Sequence, residues 1–352
     1  MENNKKIITN GVKYIGSKKM LIPFIIDIVE KEHIDHKRVI DVFSGTTRVA
    51  QAFKQIGSEV ITSDLSPATE TYSNTFIGNE NNKHLQEFID YANNMEGYSG
   101  WITENYSSKR NDVKMWQEKN GKKADAIRDW IETLSIKKWE KDTLVTSLIF
   151  ALDAVDNTVG VQQAYLKNWC TRSYKDLFMT LPKMIEGEKG RHIKGDSLKI
   201  NYPTADLAYL DPPYSAHSYA TYYHIWDSIT LWDKPETSLK TNRRIDRCKG
   251  EKLDFSMSSV FNKKAEALTS LLFLIERLPA NIIMLSYNDE GLIEKHSLLN
   301  GIATKGYKNV SLVEVDYRRN IMSSIGNSLI NGPASRNETK EKNKELIITI
   351  KK

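Results

Sequence analysis

The chain alternates short apolar runs with amphipathic stretches. Leu21, Phe24, Ile25, Ile28 and Val29 recur at helical spacing. Val39-Ile40-Asp41-Val42-Phe43 reads as a short buried strand, Ser44-Gly45-Thr46-Thr47 as a turn, and Arg48 to Ile56 as a helix stopped by Gly57. Val60 to Ser63 reads as a second strand that ends at Asp64. Strand, turn, helix and strand in this order make a βαβ unit, which implies a parallel sheet. From about Gly78 to Pro182 the pattern turns polar, tryptophan-bearing and helical, with Ile127, Trp130, Ile131 and Leu134 on one face and Leu144, Leu148 and Leu152 on another. This stretch reads as a helical insert between two parts of one α/β domain, residues 1–78 and 190–352, with the insert at 79–189. Further strands are predicted at 208–210, 281–285, 311–315 and 346–350, with an amphipathic helix through Leu268, Leu271, Leu272, Ile275 and Leu278. The last two strands fit a hairpin with a long connection. Asp233 to Lys252 and Ser324 to Lys344 read as mobile surface loops.

Composition narrows the function only a little. Among 352 residues the formal net charge is +5, which permits a nucleic-acid partner without requiring one. The two cysteines, Cys170 and Cys248, form no C-x-x-C pair, so neither a disulfide scaffold nor a zinc ribbon is expected, and no metal site is read. The N-terminal residues lack the apolar stretch of a signal peptide, and no apolar run is long enough for a bilayer, so a cytoplasmic protein is expected.

The chemistry concentrates at strand ends. Asp211-Pro212-Pro213-Tyr214 follows a strand, at the edge where parallel sheets bind ligands. Two prolines stiffen this loop and remove two backbone donors. A carboxylate at Asp211 and the carbonyl of Pro212 could each accept one hydrogen of an aromatic exocyclic amine, and Tyr214 offers a face for a base lifted out of its duplex. Asp41-Val42-Phe43-Ser44-Gly45-Thr46-Thr47 runs from strand into glycine turn, and Asp64 suits ribose hydroxyls. Taken alone, these residues fit an ordinary βα turn with Asp64 as a helix cap equally well. Thr47 stands where a second glycine would complete a pyrophosphate fingerprint, which argues against a nicotinamide cofactor. Lys13-Tyr14-Ile15-Gly16-Ser17-Lys18 could cap a helix and place Lys18 against a carboxylate, and Gly195-Asp196-Ser197 could meet an adenine ring. Each also reads as a simple turn or helix start. Tyr219, Tyr222, Tyr223, His224 and Trp226, with His217 nearby, suit packing or nucleic-acid contact.

Together, in this order, these motifs resemble the Dam-type DNA adenine-N6 methyltransferases, in particular the stand-alone enzymes of restriction-modification systems. Asn157-Thr158-Val159-Gly160, Ala164-Tyr165-Leu166-Lys167 and Ser286 to Gly291 also look like family segments. The resemblance implies a Rossmann-like S-adenosylmethionine-dependent methyltransferase fold with an antiparallel final strand. It implies cofactor contacts from Tyr14, Lys18, Asp41, Phe43, Ser44, Gly45, Thr46, Asp64 and Asp196, and places Asp211 between cofactor and target amine. It makes the insert the target-recognition region, double-stranded DNA the substrate and a restriction endonuclease the expected functional partner. Asp at position 211 favours adenine by that resemblance. Cytosine-N4 methylation, adenine methylation in RNA, and a non-catalytic nucleic-acid binder on the same fold are the competing readings. Basic residues in 109–123 and 243–252, foremost Arg110, Arg243, Arg244 and Arg247, are expected to meet DNA phosphates, although a solvated charged face explains each one singly as well.

Overall fold

The computed structural model describes residues 7–78, 81–107, 113–162, 164–248, 250–254, 257–318 and 342–352. Helix α1 (Ile22–Lys31) leads into strand β1 (Arg38–Val42), helix α2 (Arg48–Gln55), strand β2 (Glu59–Asp64) and helix α3 (Pro67–Phe76). The inserted helices follow: α4 (Gln86–Asn94), α5 (Trp101–Tyr106), α6 (Glu118–Thr133) and α7 (Lys138–Ala154). The chain then returns to the sheet through β3 (Arg191–Lys194) and β4 (Ala205–Leu210), short helices α8 (Tyr219–Tyr222) and α9 (His224–Leu231), and α10 (Lys264–Arg277). It closes with β5 (Ala280–Asn288), α11 (Lys295–Thr304), β6 (Asn309–Arg318) and β7 (Lys342–Lys351).

Among the described residues, seven strands lie in the order β3-β2-β1-β4-β5-β7-β6. Neighbours up to β5 are parallel, and β7 enters antiparallel between β5 and β6. Strand order therefore reverses between β1 and β4, and such switch points open a crevice at the carboxyl ends of the strands. The expected final hairpin is present, with Val310 opposite Ile350 and Leu312 opposite Ile348. Its connection, expected as a loop from 324 to 344, lies outside the described residues except for 342–344, which belong to β7.

Helices α4 to α7 fill 86–154 of the stretch expected as a helical insert, whereas its described residues from 155 to 189 hold no helix beyond a 3-10 turn at Thr171–Tyr174. The apolar faces of α4 to α7 join the core on one face of the sheet. Ile89, Trp116, Ile127 and Leu148 belong to the same buried cluster as Val39, Val60 and Tyr209. Phe150 of α7 packs on Tyr72 and Phe76 of α3, with ring centroids 6.3 and 6.0 Å away. Along the same seam Asp142 accepts hydrogen bonds from Thr71 and Asn74. The stretch from Asp233 to Lys252, expected as a mobile loop, is packed instead. Thr237 bridges Arg244, and Arg244 is buried between Asp233 and Asp246. A guanidinium that saturates two carboxylates anchors a polar segment that has little apolar surface of its own.

Lys54 shows how tightly this frame is closed. It is wholly buried in α2, and its ammonium donates to the carbonyls of Phe76 (3.0 Å) and Ile77 (2.8 Å) at the end of α3. Burial lowers its pKa to about 7. Lys54→Ala strands both carbonyls, so we expect a loss of about 2–4 kcal/mol in urea unfolding. The folded amine releases its proton near 7, whereas an unfolded lysine holds it to about 10.5. Wild-type stability should therefore rise with pH across that window, and Lys54→Met should lack that slope.

Candidate active site

The N-terminal segment is placed by hydrogen bonds from two helices. Gln51 of α2 pairs through its amide with both backbone groups of Asn10, and Arg48 donates to the carbonyls of Thr9 and Gly11. On the other side, the Lys13 ammonium meets Asp156 at 2.9 Å and the carbonyl of Asp153, while its backbone N–H donates to the Asp153 carboxylate. Arg172 adds two bonds to the same oxygen of Asp156. Residues 12–18 are thereby carried across the carboxyl ends of β1 and β4. Gly16 turns there with φ 77°, and a Cβ on it would lie 2.7 Å from the Tyr214 hydroxyl oxygen and 3.0 Å from that of Tyr219. Only glycine fits both the backbone and the space.

Lys18 then points inward. It is 4 % exposed, and its ammonium lies 2.8 Å from Oδ1 of Asp211 and 4.0 Å from Glu345. Asn288 at the end of β5 donates to Glu345, at 3.2 Å. Burial works against the Lys18 charge, but Asp211 and Glu345 outweigh it and hold its pKa well above the usual value. The same burial raises Asp211 to about 6, with Lys18 pulling in the opposite direction. The Asp211 side chain keeps 18 % of its surface open; its buried Oδ1 faces the Lys18 ammonium, and Oδ2 makes no ion pair among the described residues. The carboxylate is thus held by one oxygen and free at the other.

The turn after β1 is strained. Phe43, Gly45 and Thr47 all take positive φ, 63°, 49° and 59°. Thr47, the departure from the glycine fingerprint, adopts the left-handed conformation a glycine would take without strain. It is fully buried, its N–H donates to the Ser44 carbonyl, and its hydroxyl accepts from Gln51. Asp64 braces the turn from β2. One of its oxygens accepts from the N–H of Gly45 at 3.0 Å and the other from Ser66 at 2.9 Å. Burial raises the Asp64 pKa, against the pull of these backbone donors.

These parts surround one cavity of about 1300 Å³, counting its open mouth. Of the residues expected to meet a cofactor, Tyr14, Phe43, Gly45, Asp64, Asp196 and Asp211 line it. Lys18, Asp41, Ser44 and Thr46 do not. Lys18 acts on Asp211, and the Ser44 hydroxyl closes the turn by donating to the Asp41 carbonyl at 2.6 Å. Asp41 is buried, and burial with Asp211 and Asp64 nearby raises its pKa well above the ordinary carboxylate range. Pro213 lines the cavity, but Pro212 and Tyr214 do not. The Tyr214 ring lies under Lys18, 5.3 Å from the ammonium, and edge-on to Tyr287. The aromatic wall is instead Tyr14, stacked on Tyr223 at 4.1 Å and on Tyr219 at 5.5 Å. Tyr219 and Tyr223, whose spacing suits packing and contact equally, line the cavity, as does Asp227, which carries no signal in the sequence. Asp227 is 2 % exposed and accepts from the Ser66 hydroxyl at 2.7 Å.

Of the expected DNA contacts, Arg110 lies outside the described residues. Arg244 is a correction: Asp233, Asp246 and Ser228 take up its guanidinium, so it holds the loop together and offers nothing to a phosphate. Arg243 and Arg247 line a second recess beside the cavity. The family-like segment at Asn157 is structural, since that buried amide bonds the carbonyls of Lys114 and Leu166 and the N–H of Cys170. Among the described residues there is no metal-ligating cluster and no helix long and apolar enough to cross a membrane.

A doubly wound sheet with β7 reversed, and an acid–glycine cavity at its switch point, define an S-adenosylmethionine-dependent methyltransferase fold. The chain belongs to the D12 class N6 adenine-specific DNA methyltransferase family, whose model matches residues 14–296. It is 30 % identical over 307 residues to the modification methylase StsI of Streptococcus sanguinis, covering 82 % of this chain and 46 % of that protein. It is 29 % identical over 320 residues to the type II methyltransferase M.NlaIII of Neisseria lactamica, covering 88 % of this chain and 92 % of that one. The modification methylase LlaI of Lactococcus lactis matches at 26 % over 97 % of this chain and 55 % of its own length. The chain thus spans about half the length of StsI and LlaI and nearly all of M.NlaIII.

Replacing Gly16 tests the closeness of this assembly. Gly16→Ala forces a side chain into left-handed backbone against two tyrosines. We expect a loss of about 1–3 kcal/mol in thermal or urea unfolding, with a larger loss for Gly16→Val.

Proposed function

We propose that this protein methylates the exocyclic N6 amine of adenine at a specific site in double-stranded DNA, with S-adenosylmethionine as donor. We read it as the modification partner of a restriction endonuclease, acting in the cytoplasm where its DNA lies. The observation that carries this reading is Asp211, held by Lys18 through one oxygen and open through the other, in the wall of a cavity that Gly45, Asp64 and Asp196 also line.

The residues present fit such a donor. Asp64 holds one backbone donor on each oxygen, which leaves lone pairs for ribose hydroxyls. Asp196, just beyond the end of β3, lines the same cavity, and we assign it to the adenine edge. Gly45 presents bare backbone to it. When bound, S-adenosylmethionine supplies an electrophilic methyl group on its sulfonium. The free oxygen of Asp211 accepts one hydrogen of the target amine; Pro212, expected to take the other, stays outside the cavity lining. The Asp211 bond favours a pyramidal nitrogen, whose lone pair is otherwise delocalised into the ring. Asp211 must be ionised to do this, and Lys18 favours that state. The Tyr14–Tyr223–Tyr219 wall gives an extruded base an aromatic surface, with stacking worth about 1–3 kcal/mol against an unstacking cost of a few kcal/mol. The inserted helices, packed on the same face as this wall, are the region we assign to target recognition. No step uses a cysteine, and Cys170 and Cys248 lie outside the cavity.

Transfer of tritiated methyl to duplex DNA, with nucleoside analysis of the product, tests this. Wild type should yield N6-methyladenine, and Asp211→Ala should fall by about 100-fold or more. A near-wild-type rate in the variant removes Asp211 from the reaction. The pH profile adds a signed test. Because burial raises Asp211 to about 6, the rate should fall as pH drops through that value. Lys18→Met removes the opposing cation, so its acidic limb should move to higher pH. An unmoved limb would show that another group sets it.

A further inference from the structure

Beside the catalytic cavity lies a second recess of about 780 Å³, again counting its mouth. The two share Ser218, Ala220, Met257 and Ser258, so one wall separates them. Arg243 and Arg247 line the recess. Arg247 is 6 % exposed. It meets Asp246 at 3.1 Å, but that carboxylate is already shared with Arg244, and the Arg247 Nε has no partner. Arg243 is half-buried, has no carboxylate partner among the described residues, and its Nε is likewise buried without an acceptor. Asp254 is the acidic residue on the recess wall, and His217, Thr221 and Tyr222 are among its other polar residues.

A buried guanidinium N–H without an acceptor is costly, and two such Nε–H groups beside an open recess are satisfied by an anion. We propose that this recess binds the phosphodiester immediately next to the extruded adenosine, gripped by Arg243 and Arg247. The proposal rests on the DNA-methylation reading and deepens it. A base that enters the cavity past Ser218 and Ala220 brings its own backbone to the shared wall. Anchoring that phosphate while the base rotates would favour the flipped state without reading sequence.

The test couples protein and DNA changes. The methylated site is first found by sequencing DNA from a host that expresses the protein. Duplexes carrying that site are then made with one neutral methylphosphonate at each position in turn. Binding is measured by fluorescence anisotropy with S-adenosylhomocysteine present, for wild type and Arg243→Ala, with Arg247→Lys as a second variant that keeps the charge and shortens the grip. We expect neutralising a phosphate adjacent to the target adenosine to weaken wild-type binding roughly tenfold, and Arg243→Ala to weaken it no further on that duplex. The salt slope of Arg243→Ala should fall by about one on unmodified DNA. Coupling only at distant phosphates, or at none, overturns the assignment. A second arm titrates inorganic phosphate and dAMP. If Arg243→Ala alters their binding but not that of duplex, the recess is a small-anion site and the DNA assignment fails. Methyl transfer by wild type to the unmodified duplex is measured alongside. Its absence would refute the catalytic reading separately, because the coupling is read from binding alone.

Discussion

The contact between Lys18 and Asp211 sets the terms for the rest of this molecule. An ammonium taken from water needs carboxylates close by, and removing either partner leaves an uncompensated buried charge. Lys18 satisfies this with Asp211 in front and Glu345 behind, and Glu345 is tied in turn to Asn288. One oxygen of Asp211 is thereby fixed while the other faces the cavity. The carboxylate is poised: burial raises it and the lysine restrains it, so its ionisation depends on both. Because Lys18 comes from a segment that is neither strand nor long helix, its position is borrowed. Gln51 and Arg48 hold that segment from α2, and Asp153 and Asp156 hold it from the end of α7 and just beyond. The charge at the site is therefore mechanically linked to the inserted helices.

The turn after β1 shows strain at the same site. Three left-handed residues within five positions, two of them not glycine, cost local energy that the surroundings must overcome. Asp64, the Ser44 hydroxyl and the buried Thr47 side chain supply that over-determination. The missing second glycine thus changes how the turn is stabilised and leaves its shape intact.

Charge is distributed on the same logic. Three arginines within five positions look equivalent in the chain, yet they do different work. Arg244 is consumed by Asp233 and Asp246 and folds the segment after α9. Arg243 and Arg247 remain under-satisfied at the edge of a recess that adjoins the catalytic cavity. A loop that reads as solvated becomes a packed ledge beside the site.

The βαβ unit at β1–α2–β2, the position of Asp211 at the end of β4, the helical insert and the closing hairpin were all legible in the sequence. Each depends on a local signal, apolar periodicity or a turn residue, that reports which face of an element is buried. Strand β3 was not legible, because Arg191-His192-Ile193-Lys194 is a four-residue edge strand carrying charge and little alternation. Nor were Asp227 in the cavity wall and the withdrawal of Tyr214 from it, or the sorting of Arg243, Arg244 and Arg247 into different roles. These depend on which distant groups share a space. Lys18 and Asp211 are 193 positions apart, and nothing in the spacing between them encodes a 2.8 Å contact. Periodicity fixes what is buried. Only closure of the whole chain fixes what it is buried against, and buried charges are decided by their partners.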